Sequence, residues 1–306
     1  MNEVDVVVVG AGPSGLSCAA EMAAGGLSVM VAEREVEAGG VPRHTHHLGF
    51  GARDLHRILR GPVYADRLME RAVAAGAQLS TSTTVIGWTP GHAITLHRPD
   101  GLHTVCARAV VLAAGCRERP RHARLVPGDR PAGVLTTGSL QHLSVAGMPI
   151  GRRAVVVGAE HVSFSAVLTL RHHGVEVVAM VTEHARHGSI PGARVLLGRT
   201  PLLRGRTVTR LDGDRRVHGL QLDDGRYLEC DTVVFTGDWS AELALARRVG
   251  LAWDPDRRAL LTDPDGHTDH PSVFATGNVV TPARAADACA LDGTRVARSV
   301  LAHLRS

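Results

Sequence analysis

Lysine is absent from this chain: in 306 residues the basic charge outside histidine is all arginine. Schiff-base chemistry on a lysine amine and a Walker-type phosphate lysine are therefore excluded. Aromatic residues make up 3% of the sequence and the arginines are scattered. The interleaving of basic and stacking side chains that grips nucleic acid is missing. Five cysteines (Cys18, Cys106, Cys116, Cys230 and Cys289) form no C-x-x-C pair. That argues against a redox dithiol, a zinc ribbon or an iron–sulfur cluster, and it fits a reducing cytoplasm. No apolar run is long enough to span a bilayer, and the start of the chain enters an apolar strand at once. Neither a membrane anchor nor a secretory signal is expected. With 44% hydrophobic residues and a formal net charge of +4, the composition is that of a globular protein large enough for two cores.

What is present is concentrated at the start. Val4 to Val9 reads as a buried strand, followed by Gly10-Ala11-Gly12-Pro13-Ser14-Gly15 and the apolar helical run Leu16 to Ala24. Strand, Gly-x-Gly-x-x-Gly and helix in this order open a dinucleotide fold. Gly10 serves the tight turn, Gly12 lets backbone approach a pyrophosphate, and Gly15 lets helix and strand pack closely. The helix N-terminus offers unpaired N–H groups to the phosphates. A second strand, Val29 to Ala32, ends in Glu33, placed to take ribose hydroxyls.

The second half repeats this grammar. Arg152 to Val157 is a strand ending at Gly158-Ala159-Glu160; a helical stretch, Phe164 to Leu170, follows. Then Gly174 to Val181 makes another strand ending Thr182-Glu183. Both halves continue with three alternating segments and a returning apolar strand. In the first these are Thr83 to Trp88, Ala93 to Arg98, Thr104 to Ala107 and then Val110 to Ala113, with turns at Pro90-Gly91 and Pro99-Asp100-Gly101. In the second they are Thr207 to Leu211, Val217 to Leu222, Tyr227 to Cys230 and then Thr232 to Phe235. A last strand around Val273-Phe274-Ala275, ending Gly277-Asn278, and an Ala-rich helix from about Arg284 to Leu301 close the first domain from the far end. The expected fold is α/β with two Rossmann-like domains, each a parallel sheet plus a three-stranded meander. A discontinuous FAD-type domain (1–118 and 240–306) would enclose an inserted NAD(P)-type domain (119–239).

With these elements the chain resembles the two-dinucleotide flavoproteins, the pyridine nucleotide–disulfide oxidoreductases, in their thioredoxin-reductase-sized form. The resemblance implies FAD on Gly10, Gly12, Pro13, Ser14 and Gly15, with Glu33 and Arg34 at the adenosine end and Gly40 and Val41 alongside. It places Ala113, Ala114 and Gly115 close to the flavin. It gives Gly277 and Asn278 to the pyrophosphate and ribityl chain, Asn278 standing where the family usually has Asp, and it brings in Ala286 at the last helix. Gly39 to His44, Gly115 to Pro120, Gly133 to Gly138 and Phe235 to Trp239 are similar to the FAD subunits of hydrogen cyanide synthase and opine oxidase. Those proteins carry a cysteine-rich C-terminal extension that these 306 residues lack. The disulfide reductases hold a cysteine pair over the flavin, which this sequence also lacks.

The second nucleotide site would use Gly158, Ala159, Glu160, Glu183 and Gly237. Its glycine loop is altered: Glu160 replaces the glycine that lets a pyrophosphate approach, and a carboxylate there obstructs and repels phosphate. NAD(P)H in a shifted pose, another ligand, or no ligand are the alternatives; Glu183 would favour NAD over NADP. In Arg43-His44-Thr45-His46-His47, His44 and His47 are candidate proton shuttles near the flavin, or simply loop residues packed on it. No metal is expected there. The last helix would aim its N-terminus at the flavin N1–O2 edge, with Asp287 as a dipole partner. The expected function is an FAD-dependent oxidoreductase working by hydride transfer at flavin N5 on a small molecule or toward a partner protein. The alternative is an electron-transfer or nucleotide-binding subunit of an amine- or opine-type dehydrogenase. Partners would be a small-molecule substrate and a partner flavoprotein, electron-transfer subunit or second copy, with no nucleic acid and no membrane.

Overall fold

The computed structural model describes residues 2–89, 93–186, 188 and 193–306. The turn expected at Pro90-Gly91 lies outside the described residues. The chain divides into two compact units, Met1–Arg117 with Trp239–Ser306, and Glu118–Asp238. No helix among the described residues is long and apolar enough to cross a membrane.

The first unit is built on one seven-stranded sheet. The opening strand Asn2–Val9 lies between Val29–Ala32 and Gly101–Leu112, parallel to both. Gln78–Ser80 extends the sheet beyond Val29–Ala32. Alternate side chains face opposite layers, as a strand's period of two requires. Val6 and Val8 pack with Leu16, Met22 and the last helix, while Val4 and Val7 pack with Ile94, Leu96 and Leu243. A strand covered on both faces must be apolar throughout, which is why Val4–Val9 shows little alternation.

The structure differs from the sequence reading in one respect here. The third meander segment and the returning strand are a single 12-residue strand, Gly101–Leu112. Its first half pairs antiparallel with Ala93–Arg98 and its second half pairs parallel with Val273–Ala275. Arg108-Ala109 contains no turn former, so nothing breaks the strand there.

The second unit keeps its two sheets apart. Val134–Thr136, Thr232–Phe235, Arg153–Val157, Glu176–Thr182 and Leu202–Arg204 form a five-stranded parallel sheet; Val208–Gly213, Val217–Leu222 and Tyr227–Glu229 form a three-stranded antiparallel one. The helices His161–His172 and Thr137–Val145 pack against the parallel sheet through Phe164, Leu170 and Leu140.

Candidate functional site

The first glycine loop sits at the carboxyl end of the opening strand, where open α/β sheets bind ligands. Gly10, at φ +105°, sends its N–H to Ala32 O at 2.8 Å. A Cβ on Gly10 would lie 2.6 Å from Ala113 O, and one on Gly15 would lie 2.0 Å from Gly10 O. Both positions are closed to side chains by backbone. Gly12 is different: a Cβ there meets nothing within 4 Å, so the space beside it is open. Gly12 caps the helix Pro13–Ala24 with no side-chain acceptor, and Pro13 occupies the first turn. The orphan N–H groups of that turn therefore border open space. Gly40, at φ +61°, passes so close that its Cβ would be 3.0 Å from the Gly12 Cα. Gly39 N–H donates to Ala11 O at 2.8 Å and holds that crossing in place.

Glu33 is 7% exposed. Its carboxylate accepts N–H from Ala11 at 2.7 Å and from Glu35 at 2.9 Å, which keeps lone pairs for further donors. Arg34 and Val41 are exposed, at the edge of this region. Ser14 is buried with its Oγ against Gly277, where a Cβ would lie 2.4 Å away. Ala113 is buried; Ala114 and Gly115 are half-buried, Gly115 at φ +74° with its carbonyl accepting Glu242 N–H at 2.9 Å. The Asn278 amide is turned to the backbone of Arg284: Oδ1 accepts its N–H at 2.8 Å and Nδ2 donates to its carbonyl at 3.3 Å. Asn278 thus closes the loop leading to the last helix, Ala286–Arg305, whose cap, Ala285, provides no side-chain acceptor.

His44 ends the short 3-10 turn Val41–His44. His47 shares a hydrogen with Leu48 O at 2.7 Å and stacks on Phe50 at 5.6 Å. A carbonyl only accepts, so Nδ1 carries the proton in this bond. Burial pulls the His47 pKa below 6.5, opposed by the Leu48 bond.

Sequence reasoning missed Asp292. Its carboxylate, 10% exposed, accepts from Thr276 Oγ1 at 3.0 Å, Gly277 N–H at 2.9 Å and Arg295 at 2.7 Å. Its pKa lies below the usual range: these donors outweigh burial, which pushes the other way. The signal available was an acid on the otherwise apolar side of the last helix, three residues after Cys289 and four before Val296, with Arg295 one turn on. Also missed was the buried hydroxyl of Tyr64, which donates to Asp54 at 2.7 Å; burial pushes Asp54 up. Asp287, read as a dipole partner, is buried in the first turn and accepts Arg53 N–H at 3.2 Å.

The second loop repeats two backbone bonds of the first. Gly158, at φ +136°, sends its N–H to Val181 O at 2.7 Å, and Gly188 N–H donates to Ala159 O at 2.9 Å. Glu160 caps the helix His161–His172. Glu183 does not turn inward as Glu33 does; its side chain is 67% exposed beside His184. Gly237 lies at φ +72° against the Glu160 carboxylate.

A family model, "Pyridine nucleotide-disulphide oxidoreductase", matches residues 4–293. The chain belongs to this family. Members of the pyridine nucleotide-disulphide oxidoreductase family are FAD-dependent oxidoreductases that use FAD and NAD(P)H. The sarcosine oxidase subunit alpha of Corynebacterium sp. (strain P-1) is 26% identical over 305 residues, covering 89% of this chain and 30% of that one. The ferredoxin–NADP reductase of Salinispora tropica is 29% identical over 296 residues, covering 91% and 87%. Thus the chain spans about a third of the sarcosine oxidase subunits it matches but most of the reductase. Among solved structures, T. acidophilum thioredoxin reductase superimposes with a TM-score of 0.81 over all of both chains at 20% identity, a likeness of fold. The open space at Gly12, the uncapped helix beside it and the anchored Glu33 fit the diphosphate and ribose of FAD.

Proposed function

We propose that this chain catalyses FAD-dependent hydride transfer on a small molecule, or delivers the electrons to a partner protein, without a redox-active disulfide. FAD, when bound, supplies N5 as the hydride acceptor and donor. The chain's own residues position and bias it. Gly12, Ser14 and Gly15 would hold the diphosphate on backbone N–H groups. Glu33 would orient the ribose through the lone pairs left by Ala11 and Glu35. The uncapped start of Ala286–Arg305 would favour negative charge on a bound flavin. His47 and His44, in the same loop, are the candidate proton shuttles that would serve hydride transfer.

The open space at Gly12 is the observation that carries this reading. The first unit has no C-x-x-C pair; Cys18 and Cys289 are buried, burial pushing both thiols up, Cys289 to about 12, while Cys106 and Cys116 are half-buried. The likeness to a sarcosine oxidase subunit supports an amine, imine or hydroxyl-carbon substrate. The purified chain should show an oxidised-flavin spectrum that bleaches without oxygen when a substrate of this class is added. A colourless chain that refuses excess FAD would end the proposal.

A second reading, a subunit of a multi-subunit amine- or opine-type dehydrogenase, draws on the length comparison: the matching segment is 30% of the sarcosine oxidase subunit. Co-purification with another redox protein, together with bleaching only in that complex, would favour it.

A further inference from the structure

The two glycine loops share two backbone bonds and differ at the second and third glycine positions, where Glu160 and Ser163 stand in place of Gly12 and Gly15. Gly10 and Gly158 both donate to the neighbouring parallel strand, and Gly39 and Gly188 both donate to the alanine of the loop. Where the first loop has open space at Gly12, the second has the Glu160 side chain. Its carboxylate is folded back into the loop. Oε2 accepts Ala159 N–H at 3.2 Å, the counterpart of the N–H that Glu33 takes in the first unit. Oε1 is buried without a hydrogen-bond partner and lies 2.8 Å from where a Cβ on Gly237 would stand; Oε2 lies 3.2 Å from the same point on Gly158. The carboxylate thus lies between two bare glycine backbones at the carboxyl end of the sheet, the place a diphosphate needs.

Arg124 is a cation close enough to feel Glu160, and a second acid stands beside them. Glu118, 7% exposed, is a second acid whose pKa is pushed up by burial and by the nearby Glu160. Arg124 turns its guanidinium to the carbonyls of Gly237 and Arg119 at 2.6 and 2.7 Å. Glu183, which a dinucleotide's ribose would need, stands in solvent.

We infer that Glu160 is a specificity-determining residue that closes the second cradle to ligands bridged by a diphosphate, NADH and NADPH included. Electrons handled by the first unit then come from and go to molecules other than a dinucleotide seated in the second. The inference goes beyond the proposed function and holds whatever substrate the first unit takes. Its test reads binding, so it is separable from a failure of the FAD reading.

The test is calorimetric titration of NADH, NADPH and ADP-ribose into the full chain after FAD loading, and into Glu160→Gly. The wild type should bind each no tighter than about 1 mM. Glu160→Gly should bind at least about tenfold tighter, because removing the side chain restores the open geometry of Gly12. Circular dichroism and flavin content should match the wild type. Should Glu160→Gly fail to fold, Glu160→Ser is judged by the same criterion. Micromolar binding of NADH or NADPH by the wild type would overturn the inference. So would a folded variant that binds no tighter than the wild type.

Discussion

Glycine substitutions in the first loop separate folding from cofactor binding at the scale of single residues. Gly15→Ala drives a methyl into Gly10 O, which is backbone and cannot yield, so we expect a loss of about 3 kcal/mol or more in urea unfolding. Gly12→Ala meets nothing and sits at φ −78°, so the flavin-free chain should unfold within about 0.5 kcal/mol of wild type while FAD affinity falls at least about tenfold. Glu118 makes a different prediction. It accepts N–H from Thr137 at 2.7 Å and Gly138 at 3.2 Å, yet burial raises its pKa from 4.5 to about 7. Between these values the folded state holds a proton that the unfolded state has released, so stability falls as pH rises through that window, by up to about 3 kcal/mol. Glu118→Gln should flatten that slope in urea melts at pH 5 and pH 8, and an unchanged slope would refute the assignment. The tight turn at Gly10 and the close approach at Gly15 were legible in the sequence because the glycine spacing puts them at a strand end and a helix start. Asp292 was not, because the Gly277 N–H and Thr276 Oγ1 it holds are 15 and 16 residues away and meet it only through the packing of the last helix.

Among the elements, the last helix depends most on that carboxylate. Asp292→Ala would leave Gly277 N–H and Thr276 Oγ1 without their buried acceptor. We expect a cost of about 2 kcal/mol in chemical denaturation and weaker FAD retention on gel filtration. Gly293 sets how near the helix lies to Pro13–Ala24, since a Cβ there would be 2.0 Å from Ser14 O. The strands were mostly legible from apolar runs between turn formers. Where the sequence offered only Arg108-Ala109, two expected segments proved to be one. Conversely, the second unit breaks at Cys230-Asp231, where Asp231 accepts backbone N–H from Arg152 and Arg153, and its meander forms a separate sheet. No local pattern distinguishes these outcomes, because strand pairing is decided by neighbours remote in sequence.

For the whole molecule, two units with separate apolar cores should melt as two transitions in scanning calorimetry. FAD at a hundredfold over its Kd should stabilise one of them by about 2.7 kcal/mol and leave the other in place. A shift of both would mean that the units do not melt independently. The strand Gly101–Leu112 adds a consequence of its own. It is bonded to Asn2–Val9 on one side and to Ala93–Arg98 and Val273–Ala275 in succession on the other, so segments from the beginning and the far end of the chain are anchored on one ribbon. Its amide protons from Val110 to Leu112 should be among the last to exchange with deuterated water, released only when the first unit opens as a whole.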